Sequence, residues 1–245
     1  MDSSLEIQGS DPVGAVTLSH ISEAEAFNKW MYSTISPYLN GRILEIGSGI
    51  GNISEFLLKD KSNVTLSDLR PEYCDFLLNH FHGKNSLEGV VTIDLAEKDF
   101  DGVYGKILES FDSVFALNVI EHIENDFLAV RNCMKLLKKG GMLVLLVPSY
   151  HWLYCRFDEE LGHFRRYNRK SLRDLMALNG FIIENLFNFN AAGVFGWFLF
   201  GKLLNNKQIK QGQMKLYNIF VSLFSMIDKI LFHKLGLSLI IAARK

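Results

Sequence analysis

Two apolar rhythms alternate along the chain. Short runs at RILEI (42–46), NVTLSD (63–68), GVVTID (89–94), FDSVFAL (111–117), MLVLLVP (142–148), FIIENLFNFN (181–190) and GLSLIIAARK (236–245) have the length and composition of strands. Segments between them carry apolar residues at helical spacing. NISEFLLKD follows the first run, and PEYCDFLLNHF follows the second with proline at a first-turn position. NDFLAVRNCMKLLKKGG follows the fourth, with Asn125 or Asp126 at its start, lysines in its last turn and Gly140 beyond. Another helix is predicted over Ser171–Asn179. Strand and helix in alternation predict a doubly wound α/β fold. MLVLLVP is apolar throughout, so burial on both faces is expected. Ahead of the first strand, residues 20–39 predict a helix ending near Pro37, with Ser22 and Glu25 as its capping signature.

The first strand runs into RILEIGSGIG, where Gly47, Gly49 and Gly51 alternate with other residues. Residues without a Cβ let the backbone turn sharply and approach a ligand. Glu45 stands before the turn, at the edge of the sheet where ligands bind in open α/β folds. Two nucleotide fingerprints are excluded: a GxGxxG would need glycine where Asn52 stands, and no GK[ST] ending follows. Asp68 ends the second strand, the separation that one βαβ step requires.

An acid followed by GxGxG resembles motif I of the class I S-adenosylmethionine-dependent methyltransferases. The resemblance implies a Rossmann-like, seven-stranded, mostly parallel sheet whose last strand is antiparallel. It implies S-adenosylmethionine as cofactor and S-adenosylhomocysteine as product. Glu45, Gly47, Ser48, Gly49 and Gly51 would meet the methionine portion, Asp68 with Leu69 the ribose, and Asp94 with Leu95 the adenine. Asp94 could instead cap the segment behind it. NVIEHI, after the fourth strand, resembles the family's "xxLEHI", whose backbone touches the methionine end; Asn118 and Val119 stand there. Glu121 and His122 orient the loop or, for His122, act as a base; no catalytic role is assigned to them. In this family the helix before the first strand often folds over the cofactor, which makes Phe27, Trp30, Met31 and Tyr32 lid candidates, with packing on the sheet edge as the alternative.

The loop SYHWLYCRFDEELGHFRRYNRKSL concentrates the polar and aromatic chemistry at the ligand edge. Its GHFRRYN string, with the helix after it, resembles a bacterial small-molecule subgroup of these enzymes, of the type 11/12 kind. Three readings stand side by side. In the first, His163 is a general base and Arg165 or Arg166 binds an anionic group. In the second, Asp158, Glu159, Glu160 and His163 bind a metal; their spacing matches no familiar ligand set, so no metal is expected. In the third, the charges pair with one another and pin the loop. Tyr150, Tyr154, Arg165, Arg166, Phe195 and Trp197 are the candidate substrate residues, and His163 the candidate catalytic one.

Residues 190–235 are an insertion that a minimal fold does not need. NAAGVFGWFLFGKLL is apolar but too short to span a bilayer. LYNIFVSLFSMIDKILFHKL places Leu216, Ile219, Phe220, Leu223, Ile227, Ile230 and Leu231 on one face, an amphipathic helix. That face packs on the sheet, roofs an apolar pocket, binds a partner or lies on a membrane surface.

Composition narrows the rest. At 245 residues the chain reads as one methyltransferase domain: a loose arm at 1–19, a helical lid at 20–40, a core at 41–189, the insertion, and a last strand at 236–245. A net charge of −1 gives no field to hold a nucleic-acid backbone. The family's base amino-methylating members carry [DN]PP[YF] where NVIE stands here, which argues against that reaction. Three scattered cysteines and an N-terminus without an apolar leader fit a cytoplasmic protein. The expected function is methyl transfer to an oxygen or nitrogen nucleophile, a carboxylate included, of a small or lipid-like molecule. The alternative is a protein that binds the cofactor without transferring methyl. The sequence leaves the acceptor and the oligomeric state open.

Overall fold

The computed structural model describes residues 12–204 and 212–245. In chain order these residues form α1 (Pro12–Ser22), α2 (Glu25–Ile35), β1 (Ile43–Ile46), α3 (Ser54–Asp60), β2 (Val64–Asp68), α4 (Pro71–His80), β3 (Leu87–Thr92), α5 (Phe100–Tyr104) and β4 (Phe111–Leu117). There follow α6 (Asp126–Leu136), β5 (Leu137–Pro148), α7 (Arg156–Glu160), α8 (Arg169–Leu178), β6 (Ile182–Phe189), α9 (Ala191–Gly196), a π-helical stretch Trp197–Leu203, α10 (Gln213–Ile219), α11 (Val221–Ile230) and β7 (Ser238–Arg244).

The seven strands lie in the order β3-β2-β1-β4-β5-β7-β6. β1 through β5 pair in parallel, and β7 enters antiparallel to both β5 and β6. This is the mostly parallel sheet with an inverted last strand that the resemblance implies. The order reverses between β1 and β4, so the turns leaving their carboxyl ends diverge and leave a crevice.

Alternation along the strand explains why the stretch Met142–Pro148 of β5 is apolar throughout. Met142, Val144 and Leu146 join Ile35, Leu57 and Leu77 in one core, while Leu143, Leu145 and Val147 meet Ala129, Leu136 and Leu172 in the other. Each such Val, Leu, Ile or Met side chain, fully removed from water, contributes about 1.5–3 kcal/mol.

Four local expectations need correction. Residues 12–19, expected as part of a loose arm, belong to α1; residues 1–11 lie outside the described set. Ser22 closes α1 rather than capping the next helix, and α2 starts at Glu25 behind Ala24. β3 ends at Thr92, two residues short of Asp94. α6 stops at Leu136, and Lys138, Lys139 and Gly140 belong to β5, where the pairing with β4 jumps from Phe111–Leu137 to Ser113–Met142. Gly140 has φ of +79°, so the signal taken for a helix stop marks a bulge instead.

The insertion departs most from ordinary packing. Leu216, Ile219, Phe220, Leu223, Ile230 and Leu231 are exposed, whereas Asp228 on the same helical hairpin is wholly buried. The apolar face therefore does not pack on the sheet.

Candidate functional site

β1 delivers the chain into the glycine turn, and β2 delivers Asp68 beside it. Gly47, Gly49 and Gly51 all have positive φ, at +73°, +54° and +84°. At Gly47 close approach adds to this, since a Cβ there would stand 2.5 Å from Val119 Cγ2. The turn is stitched to β2: Ser48 N–H donates to the Ser67 carbonyl at 2.8 Å, and Gly49 N–H to Asp68 Oδ2 at 2.9 Å. Arg70 N–H donates to Asp68 Oδ1 at 3.0 Å. Burial raises the Asp68 carboxyl above its ordinary range, against the backbone N–H groups of Arg70, Gly49 and Leu69 that favour its charge.

Glu45 lies beneath the turn. Ser54 Oγ donates to its Oε2 at 2.6 Å, and burial pushes the carboxyl up to about 7 against the hydrogen bonds from Ser54 and Ser48. Ser54, at the start of α3, has no motif signal of its own; the acid on the preceding strand is what its hydroxyl answers.

Asp94 is half-buried and Leu95 buried, beyond β3. Asp94 Oδ1 accepts from Ala96 N–H at 2.7 Å, the local capping that was the alternative to an adenine contact. Leu69 is exposed. Asn118 takes φ of +53° and donates its N–H to the Leu146 carbonyl, which turns the chain out of β4 next to the glycine turn. On the turn's other side, Leu18 of α1 would lie 3.0 Å from a Cβ on Gly49, and Asn52 Nδ2 donates to the Leu18 carbonyl at 3.1 Å. In α2, Met31 and Tyr32 are buried in the core beside β1, while Trp30 packs on Phe189 with ring centroids 4.4 Å apart.

Beyond β4 and β5 a second cluster forms. Asp158, on α7, is fully buried. Its Oδ1 meets His163 Nδ1 at 2.8 Å and accepts from Arg166 Nε at 2.8 Å, and its Oδ2 accepts from Cys155 N–H at 3.0 Å. Burial works against its charge, but the bond to His163 and the charge of Arg166 outweigh it, and the carboxyl sits below its usual range. Arg166 also donates to the Ser149 carbonyl and lies 4.6 Å over the Trp197 ring. Tyr154 donates to the His163 carbonyl at 2.8 Å.

Glu121, in the helical turn after β4, is fully buried, and neither carboxylate oxygen has a hydrogen-bond partner among the described residues. Burial pushes it up to about 8. His122 and His163 stack edge to face with centroids 4.6 Å apart. Glu121, His122 and His163 each bring a ligand atom within 4.8 Å of the others, a set that could hold a divalent cation. This set shares only His163 with the Asp158, Glu159, Glu160 and His163 group in the sequence, because it is the fold that brings Glu121 and His122 beside His163.

The substrate candidates separate. Tyr150, Tyr154 and His163 share the loop after β5, and Asn188 reaches Tyr150 Oη at 3.4 Å. Arg165 pairs with Asp126 at 2.8 Å and lines an open groove of about 350 Å³ with Tyr167 and Leu178, away from the glycine turn. Arg166 is occupied by Asp158. The arginines thus take the arrangement in which the charges pin the loop. Trp197 packs on Phe157 and Arg166. Phe195, expected to wall a pocket, is 71% exposed and faces outward with the insertion.

Comparison with known proteins fits this geometry. The family described as "Methyltransferase domain" matches residues 44–143. A ubiquinone biosynthesis O-methyltransferase of Xanthomonas campestris is 33% identical over 104 residues, 42% of this chain and 41% of that protein. Its counterpart in Xanthomonas euvesicatoria is 32% identical over 113 residues, 46% and 45% of the two chains. The matching segment spans less than half the length of these relatives. In fold, the chain is similar to phosphoethanolamine N-methyltransferase 2 of Haemonchus contortus, solved with S-adenosyl-L-methionine. The TM-score is 0.63 and the identity 18%, covering 96% of this chain and 58% of that one. A SAM-dependent methyltransferase from Archaeoglobus fulgidus gives a TM-score of 0.55 at 17% identity, over 89% and 94% of the chains.

Proposed function

We propose that the chain, whose residues 44–143 match a methyltransferase domain, is a class I S-adenosylmethionine-dependent methyltransferase that methylates an oxygen or nitrogen, a carboxylate included, of a small or lipid-like acceptor. The observation that carries this reading is the glycine turn tied to Asp68, an acid held at the rim of a bend that side chains would fill. Glu45 supports the turn from beneath, Asp68 would bind the ribose hydroxyls, Asp94 and Leu95 the adenine, and Asn118 and Val119 the methionine end. Bound there, S-adenosylmethionine supplies a methyl group on a sulfonium, open to in-line displacement.

The chain's own work is then to place the acceptor and, for an alcohol or amine, to take its proton. His163 is the proton acceptor in this reading. Asp158 holds its Nδ1, which leaves Nε2 for the acceptor, and Arg166 keeps Asp158 ionised. A carboxylate acceptor needs no base.

Calorimetry with S-adenosylmethionine and S-adenosylhomocysteine tests the premise. Asp68→Ala removes charged hydrogen bonds worth about 3 kcal/mol, so affinity should fall about a hundredfold. Purified wild-type protein that binds neither compound removes the proposal. Labelled methyl appearing in an extract component separates an enzyme from a protein that only binds the cofactor.

A further inference from the structure

We propose that the outward face of α10 and α11 docks on an anionic lipid bilayer. The starting observation is the inverted orientation of the hairpin α10–α11. Ile219 is 73% exposed, Ile230 63% and Leu216 60%, and Phe220 and Leu223 between them are exposed as well. Monomeric proteins seldom leave so many large apolar side chains contiguous in water.

The inward side is fixed by polar bonds, so this orientation is specific. Asp228 accepts from Asn190 N–H at 2.6 Å and Ala191 N–H at 2.7 Å, and Asn218 Oδ1 accepts from Phe27 N–H at 3.1 Å. Rotating the apolar stripe inward would break these bonds and expose backbone donors at the start of α9.

Charge selects the occupant. Residues 190–235 contain the lysines 202, 207, 210, 215, 229 and 234 and a single acid, Asp228, which is buried. The whole chain has a net charge of −1, so positive charge is concentrated on this segment. Apolar residues beside the exposed Lys229 and Lys234, with Lys215 paired to Glu23 at 3.3 Å, match the interface of a bilayer containing anionic lipid. A second copy of the same face would set lysines against lysines.

Placement gives the docking a consequence. α9 leaves the carboxyl end of β6, on the sheet edge that carries the glycine turn, and Phe198 meets Trp152 of the His163 loop with ring centroids 6.1 Å apart. A docked protein would present that loop to the lipid surface. The acceptor is then an amphiphile resident in the bilayer, a statement that rests on the methyl-transfer reading above.

Co-sedimentation of the full chain with vesicles tests this. Vesicles of one-third phosphatidylglycerol in phosphatidylcholine should pull the protein down. Lys229→Gln with Lys234→Gln should weaken partition about 25-fold, about fivefold per lysine. Ile219→Ser with Ile230→Ser should weaken it at least about tenfold. Both pairs are exposed and touch no cofactor residue, so S-adenosylmethionine affinity should match the wild type and confirm folding. No sedimentation with anionic vesicles overturns the docking. So does equal binding to pure phosphatidylcholine, a dimer in solution that Ile219→Ser with Ile230→Ser dissolves, or capture of the protein by an acidic polypeptide in place of lipid. Cofactor binding without sedimentation sinks the docking alone. Sedimentation without cofactor binding sinks the methyl-transfer reading and leaves the docking standing.

Discussion

Glu121→Gln should alter the pH dependence of stability in a way that isolates one carboxyl. Glu121 is fully buried, without a partner for either oxygen among the described residues, and is pushed up to about 8. In the unfolded chain it releases its proton near the ordinary glutamate value of 4.5. Between those values the unfolded state binds fewer protons than the fold, so stability drains away as pH rises through this window. Glutamine has the same shape and no titration, so it escapes the loss. Its buried amide carries a cost of its own, but that cost does not change with pH. The variant's stability relative to wild type should therefore climb by about 1.4 kcal/mol per pH unit, about 4 kcal/mol from pH 5 to pH 8. Glu45 and Asp68 titrate in both proteins and cancel. Urea unfolding at four pH values gives the slope. A flat difference would mean that Glu121 is ionised in the fold, and the reasoning from burial would be refuted.

Two further outcomes bear on the same cluster. His163→Gln should lower kcat by about 10²–10⁴ while S-adenosylmethionine affinity, measured by calorimetry, stays within about twofold; an unchanged kcat would mean that the acceptor needs no base. Chelator treatment should leave turnover unchanged, because His163 accepts a proton in this mechanism; loss on chelation and recovery with added divalent metal would make Glu121, His122 and His163 a metal centre.

What the sequence discloses depends on whether the determinant is local. The glycine turn was legible because the backbone of Gly47 needs a dihedral that few residues adopt, and that need is written in residue type. The seven strands were legible for the same kind of reason: alternation and β-branching act over a few residues. Lys138 and Gly140 misled because the same residues that stop a helix also make a bulge, and the decision lay with the register against β4. Along the sequence Asp158 is one charge among several, since nothing in its neighbourhood says that it will be the buried partner of both His163 and Arg166. The hairpin's amphipathic pattern was plain, but a pattern has no sense of inside and outside. Asp228 decided that, through backbone groups at the start of α9 that lie far from it in sequence.

The strand order also constrains how the chain can be made. Among the described residues β6 pairs with no strand but β7, and β5 has β7 as its neighbour on that side. During synthesis, two strand edges must therefore wait, unpaired, until Ser238–Arg244 has left the ribosome and slides between them. A nascent chain stalled in the insertion would hold an open, sticky sheet margin together with a greasy hairpin, and would be a natural client for a chaperone.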